Sequence, residues 1–383
     1  MAPVYSGVRS KPERSVQLRS PSTRLLASLA VVVLLLVPLT AQAQDEYVVT
    51  PYAWGLESPR GLTLDADGNV VAAMVGSGSG FRDARIVRFR DLDGDGQASN
   101  GAEMKDLINN LPTVSFTAED FGDAKFGLSD VRIGADGSIA FVTNLLVEDF
   151  YRVGWTALWS TNAPSIYQSS LHLASPYAHF MQYETDHNPD GDLIDSNPYG
   201  LELAEDGTAY VTDAAANAVF KVTPDGTITT YAVLPFIENT SGFGPEKIDP
   251  APTGITWGPD GALYVGLETG YPWVEGSSTV YRLEDTNGDG DAWDDGEMTA
   301  YATGLTTVTD ITFDNQGRLL ATEFRGLLKG EEDASGRVMR LDNGEWTVIA
   351  GGLTTPTGII VGWDDTIYVT QEYAGQISAI RAR

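Results

Sequence analysis

The sequence predicts an all-β protein, a six-bladed β-propeller whose ring is closed by the N-terminal strand of the mature chain, and three observations carry that expectation. A motif of apolar stretch, Asp-Gly-like turn and second apolar stretch returns six times after Asp45. No stretch shows sustained helical periodicity with caps. The last copy has only three strand-like stretches where a blade wants four, and a matching segment, Tyr47 to Trp54, stands at the other end of the chain.

The copies begin at Leu62, Val131, Leu201, Ile255, Ile311 and Ile359; the first reads L-T-L-D-A-D-G-N-V-V-A-A and the fourth I-T-W-G-P-D-G-A-L-Y-V-G. Self-similarity at about fifty residues marks a repeat architecture, because one such unit cannot bury its own apolar faces. Blade one runs from about Pro59 to Leu107, and the others start near Phe126, Pro198, Pro252, Val308 and Pro356. Blade two carries the longest insertion, about 148–196, rich in Tyr, Trp, His and Ser. The turn pair supplies the positive φ that a tight hairpin needs. Copy five keeps it as Gln316-Gly317, whereas copy six has Asp364-Asp365 and predicts a different or strained turn.

Residues 1–43 fall outside this fold. Five basic residues precede an apolar run from Leu25 to Leu39, and Ala41-Gln42-Ala43 follows, the pattern of a secretory signal peptide cleaved after Ala43. A single membrane anchor is the competing reading, and the run is short of the roughly twenty residues that a span needs. The propeller then occupies 44–383, secreted or periplasmic, with no membrane span after cleavage. Losing five basic residues and one acid (Glu13) deepens the net charge from −29 to −33, which argues against nucleic acid or anionic membrane as a partner. The absence of Cys excludes disulfides, thiolate metal sites and a cysteine nucleophile.

Two segments share D-x-[DN]-G-D-G followed after six residues by Glu: Asp91, Asp93, Asp95 with Glu103, and Asp285, Asn287, Asp289 with Glu297. Oxygen ligands at positions one, three and five, with Gly at six for the sharp turn, are what calcium requires. The closing Glu falls at position thirteen, and strands flank the loops, so the expectation is a pair of calcium loops grafted onto hairpins between outer strands. Acidic turns without metal are the competing reading, at the cost of like-charge repulsion.

At matched positions the inner strands begin with Gly61, Asp130, Gly200, Gly254, Asp310 and Gly358. Six-fold counting sets blades two and five opposite each other, so Asp130 and Asp310 are expected to face one another across the central channel. Arg60, Tyr199, Thr253, Thr309 and Thr357 stand beside them, and Asp213 and Glu323 lie just after second strands. This set is the candidate site for a cation or polar ligand; the alternative is that these carboxylates bond neighbouring blades or cap turns. His172, His179 and His187 all lie in the blade-two insertion, as surface histidines, a general base or, for His179 and His187, metal ligands at a spacing that matches no zinc signature. Aromatics there and nearby, among them Tyr151, Trp155, Trp159, Tyr167, Tyr177, Tyr183, Tyr271 and Trp273, are blade filler or a stacking surface. No G-x-S-x-G elbow and no Gly-rich phosphate cradle with Lys is present.

Several longer motifs add a resemblance: N-P-D-G at Asn188 to Gly191, D-S-N-P-Y-G-L at Asp195 to Leu201, V-T-D-A-A-A-N at Val211 to Asn217, and the run from Pro252 to Trp273. With S-P-R-G-L from Ser58 and V-T-D-I-T-F from Val308, the chain resembles the ScyD/ScyE family of exported bacterial β-propeller proteins over about Leu56 to Val369. The resemblance implies a secreted or periplasmic six-bladed propeller, associated in some cyanobacteria with making the indolic sunscreen scytonemin, and no established reaction. The two acidic loops depart from that family's pattern. The expectation for function is therefore an exported, calcium-binding propeller that holds a small molecule or protein at its channel or blade-two face. The alternative is a metal-dependent lactonase, other hydrolase or lyase with its site in the channel, as in propeller lactonases of the regucalcin and gluconolactonase type.

Overall fold

The computed structural model describes residues 46–78, 82–118, 122–144, 156–161, 175–324 and 335–383. The expected signal peptide lies outside these residues, as do His172, Tyr151, Trp155 and Tyr167. Each repeat becomes a four-stranded antiparallel sheet, six in all among the described residues. The first strand, β1 (Tyr47–Trp54), belongs to the last of them.

Blade one is β2 (Pro59–Leu64), β3 (Val70–Met74), β4 (Ala84–Phe89) and β5 (Met104–Leu111). A hairpin of β6 (Val114–Ala118) and β7 (Gly122–Phe126), not anticipated from the sequence, leads to blade two. That blade is β8 (Leu128–Ile133), β9 (Ile139–Asn144), β10 (Thr156–Ser160) and β11 (Ser175–His179), followed by helix α1 (Phe180–His187). Blade three is β12 (Pro198–Leu203), β13 (Ala209–Asp213), β14 (Ala218–Val222) and β15 (Ile228–Val233), then a short pair of β16 (Ile237–Glu238) and β17 (Lys247–Ile248). Blade four is β18 (Pro252–Trp257), β19 (Leu263–Leu267), β20 (Ser278–Leu283) and β21 (Met298–Leu305). Blade five is β22 (Val308–Phe313), β23 (Leu319–Glu323), β24 (Gly336–Asp342) and β25 (Glu345–Leu353). Blade six is β26 (Pro356–Val361), β27 (Ile367–Gln371) and β28 (Gln376–Ala382), completed by β1.

Closure is by register: Tyr47 pairs with Ala382 and Trp54 with Gln376. Each inner strand packs on the next, β2 on β8 and so around to β26 on β2. The apolar cores lie between blades, as the inability of one unit to bury itself requires. Leu62 and Val87 pack with Ile377 and Ala379 at the closing seam, and Leu201 and Phe220 pack with Val142 and Leu158 between blades two and three.

One expectation needs correction. The stretch 148–196 is not all insertion, since it supplies the third and fourth strands of its blade. Those strands, Thr-Ala-Leu-Trp-Ser and Ser-Pro-Tyr-Ala-His, are short and lack an Asp-Gly turn between them, so no local signal marks them. The same stretch holds α1, which ends where Asn188 turns left-handed at φ 41 and its amide bonds Glu184 O. In copy six, Asp365 takes the left-handed conformation (φ 63) that Gly supplies elsewhere, and Asn315 Nδ2 from blade five donates to its Oδ1 at 2.8 Å.

Candidate functional site at the channel mouth

The matched Gly and Asp positions are where inner strands touch. A Cβ on Gly61 would lie 2.0 Å from Asp130 Oδ1 and 2.6 Å from its Cα, and one on Gly254 would lie 2.6 Å from Asp310 Cα. Asp130 thus fills the space that Gly61 leaves, and its Oδ2 accepts the Leu201 amide of blade three at 2.9 Å. Its Oδ1 accepts Val131 N and Arg132 Nη1, both at 2.8 Å. Asp310 repeats the pattern, accepting Ile359 N of blade six on Oδ2 and Ile311 N on Oδ1, both at 2.9 Å. Burial, then the charge of Asp130, pushes the Asp310 carboxyl up to about 7, and burial raises Asp130 as well. Backbone amides occupy both carboxylates, and Arg132 shares the Oδ1 of Asp130.

Threonine does the same work at the neighbouring position. Thr253 Oγ1 donates to Val308 O at 2.7 Å, Thr309 to Pro356 O at 2.9 Å and Thr357 to Pro59 O at 3.2 Å, each bond joining consecutive blades. Asp213 and Glu323, expected in the channel, are wholly buried. Asp213 accepts Ser196 Oγ and Asn197 N, both at 2.6 Å, and Glu323 accepts Thr306 N at 2.6 Å and pairs with Arg337. They pin the loops that lead into the inner strands, as Gln371 does through Thr354 N at 2.6 Å.

The side chains that reach the mouth come one residue later on the second strands. Glu268 and Glu372 follow β19 and β27, their amides bonded to Ala251 O and Thr355 O. Successive side chains of a strand point to opposite sides, so an offset of one residue exchanges loop-facing for channel-facing. Arg60 Nη2 donates to Glu372 Oε1 at 3.0 Å and to Lys125 O of β7 at 2.8 Å. Its Nε and Nη1 have no hydrogen-bond partner among the described residues. The Glu268 carboxylate accepts no hydrogen bond among the described residues. Burial pushes it up to about 7, with Arg60 pulling the other way. Burial, then Glu268, raises the Tyr199 hydroxyl well above its ordinary value. The mouth thus sets a carboxyl raised by burial near the Arg60 guanidinium, which Glu372 holds in place.

The two acidic loops lie on the other edge of the ring, between third and fourth strands. Asp91 accepts Gly94 N at 2.7 Å and Gly96 N at 2.8 Å; Asp285 accepts Gly288 N at 2.6 Å and Gly290 N at 3.0 Å. Asp91, Asp93 and Asp95 form the only group of three such ligands within 4.8 Å of one another among the described residues. Glu103 and Glu297 are buried and hold their loops from inside, Glu103 accepting Leu92 N at 3.2 Å and Glu297 accepting Thr286 N at 2.9 Å. Each loop also reaches the preceding blade, through Ala98 N to Tyr52 O at 2.8 Å and Ala292 N to Tyr231 O at 2.7 Å.

A third acidic group surrounds α1. Burial pushes Glu184 up to about 8 and Asp195 up to about 6, each reinforced by neighbouring carboxylates. His187 stacks on Tyr183 at 4.2 Å, its Nδ1 3.0 Å from the Tyr183 carbonyl oxygen. Trp159 is core, while Tyr271 packs edge-on to Trp273 and Phe243.

The fold is that of a six-bladed propeller, and known proteins share it. The chain is 30% identical over 161 residues to the virginiamycin B lyase of Nocardia farcinica, a match covering 40% of this chain and 48% of that protein. The chain thus matches about half the length of that curated relative. Among solved structures it is similar to a streptogramin B lyase, with TM-score 0.51 and 16% identity over 90% of this chain and all of the other. It is also similar to a gluconolactonase from Xanthomonas campestris, with TM-score 0.52 and 14% identity over 89% of this chain and 91% of that one. These likenesses show the fold. No family model matches the sequence, and among the described residues no helix is long and apolar enough to cross a membrane.

Proposed function

We propose that the protein is an exported enzyme of lyase or lactonase type that acts at the channel mouth on a carboxyl- or ester-bearing small molecule. Glu268 moves the proton, and Arg60, positioned by Glu372, holds the developing negative charge. The observation that carries this reading is the Glu268 carboxyl, held near 7 at the mouth without a hydrogen-bond partner among the described residues. The stretch similar to a lyase supports it. Elimination and lactone opening share the same demands, a base beside the scissile ester and a cation for the oxygen that takes the charge.

Calcium is the cofactor that fits the two acidic loops: their donors are all oxygen, three side chains of the first loop lie together, and Glu297 Oε2 is buried without a partner. Asp91, Asp93 and Asp95, and Asp285, Asn287 and Asp289, would hold the ions, whose part is structural because the mouth is at the other edge. Export rests on the leader pattern of residues 1–43. A binding role without turnover, of the ScyD/ScyE kind, is favoured by the span of that motif match, Leu56 to Val369.

The deciding experiment incubates residues 44–383 with a panel of lactones and cyclic ester peptides, reading acid release for hydrolysis and a new conjugated double bond for elimination. Turnover that Glu268→Gln abolishes while the variant stays folded supports the enzyme. Absence of turnover across the panel, or equal activity in the variant, leaves the binding reading in its place.

A further inference from the structure

Resting on the reading of the mouth proposed above, we infer that a platform of Phe243, Tyr271 and Trp273 on the rim seats the aryl ring of the ligand whose carboxyl or ester group enters at Glu268 and Arg60. The loop after β19 carries Glu268, Tyr271 and Trp273, and the segment before β18 carries Phe243, so the antiparallel blades put all four on the edge of the mouth. The two stretches are joined: the amides of Glu268, Thr269 and Gly270 donate to Ala251 O, Pro250 O and Asp249 O at 3.0, 3.2 and 2.9 Å. Tyr271 meets both neighbours edge to face, its ring centroid 5.6 Å from that of Phe243 and 5.4 Å from that of Trp273. Phe243 is 58% exposed and Tyr271 45%. Single exposed apolar side chains are ordinary, but rings in contact with one another at the rim of a site mark a binding surface.

The chain braces these rings in their outward position. Asn239 Nδ2 donates to Phe243 O at 2.8 Å and Pro245 O at 2.6 Å, and its Oδ1 accepts Ser241 N at 2.9 Å, so the hairpin tip is fixed by its own polar side chains. Gly244, at φ 86, turns the tip onto Tyr271: a Cβ there would lie 3.2 Å from Tyr271 Cε1. Thr269 and Trp273 both take the left-handed conformation, at φ 68 and φ 54, which strains a residue that carries a side chain. Rings displayed on a braced loop lose little entropy when a ligand stacks on them. Asn239 and Ser241 spend their polar atoms on the loop itself, so the tip presents a ring and not its amide or hydroxyl, which suits an aromatic group better than a sugar. Tyr271 follows Glu268 by three residues, a reach of at most about 11 Å. The aryl ring is therefore joined to the carboxyl or ester by a short linker.

The test is ligand-detected saturation-transfer NMR on residues 44–383 with phenylbutyrate and butyrate, two acids that neither hydrolysis nor elimination consumes. The phenyl protons receive the strongest transfer, and phenylbutyrate binds about tenfold tighter than butyrate. Phe243→Ala/Tyr271→Ala removes that preference with an unchanged circular dichroism spectrum, and Phe243→Ala alone lowers it if the pair does not fold. Trp363→Ala, 69% exposed on the turn between β26 and β27 at the opposite edge, leaves it intact. Equal binding of the two acids, a preference that survives the double substitution, or self-association lost in that variant without any ring contact overturns the inference. The result is separable from turnover. Lactone opening that Glu268→Gln abolishes, with no ring preference, overturns the platform alone; a platform-dependent preference without turnover overturns the enzyme alone.

Discussion

The Asp130 carboxylate accepts the Leu201 amide at 2.9 Å, and so ties blade two to blade three while its own backbone presses on Gly61 of blade one. Asp310 does the same with Ile359 at 2.9 Å and Gly254, tying blades four, five and six. The two aspartates therefore each bind a half-ring of three blades.

Gly61→Ala and Gly254→Ala will test that contact. A methyl group 2.6 Å from a backbone Cα on the facing strand forces the strands apart, and overpacking of this kind costs about 1–3 kcal/mol or more. Urea unfolding should show a lower midpoint for both variants. Gly101→Ala, whose Cβ meets nothing within 4 Å, serves as the silent control.

Stability should rise as pH falls from about 7 to about 4.5. Asp310 and Glu268 are both pushed up to about 7 in the fold, from ordinary values of 3.8 and 4.5. Between those limits the folded state binds more protons than the unfolded one, so raising pH through this window removes stability. Thermal melts with calcium held saturating should show the slope, and Asp310→Asn with Glu268→Gln should flatten it.

Replacing Arg60 by Met should shift the mouth's titration. Arg60 lowers the Glu268 carboxyl against the effect of burial, so its loss moves the midpoint of any base-dependent activity above about 7. It also strands Glu372, which is 7% exposed, and breaking a buried pair costs about 3–5 kcal/mol. An unmoved midpoint in the pH–rate profile would place the proton carrier elsewhere.

Chelation should lower the melting temperature, and Asp91→Ala with Asp285→Ala should abolish most of the difference. A ligand at 100 times its Kd adds about 2.7 kcal/mol to a folded state. Equal melting with EDTA and with calcium would remove the ion from the account of these loops.

The ring was legible because its repeat unit is local: apolar stretch, turn, apolar stretch, with the four later blades starting at Pro198, Pro252, Val308 and Pro356 as the pattern predicts. The strand Tyr47–Trp54 was found by what blade six lacked. The outer half of blade two was not legible, because Thr156–Ser160 and Ser175–His179 carry no turn signal and are separated by a long connection. The mouth was half legible. Arg60 and Tyr199 stand out at the inner-strand starts, but choosing Glu268 and Glu372 over Asp213 and Glu323 requires the register of the second strand, which one residue of slippage inverts.

The pairing of β1 with β28 sets an order of assembly. The strand translated first waits for a partner that is made last, and bringing them together closes the longest loop in the molecule, with the corresponding entropy cost and slow search. The Asp91 loop then lies against that joint, its Ala98 amide on Tyr52 O, so an ion seated there would act as a latch that engages only once the circle is complete.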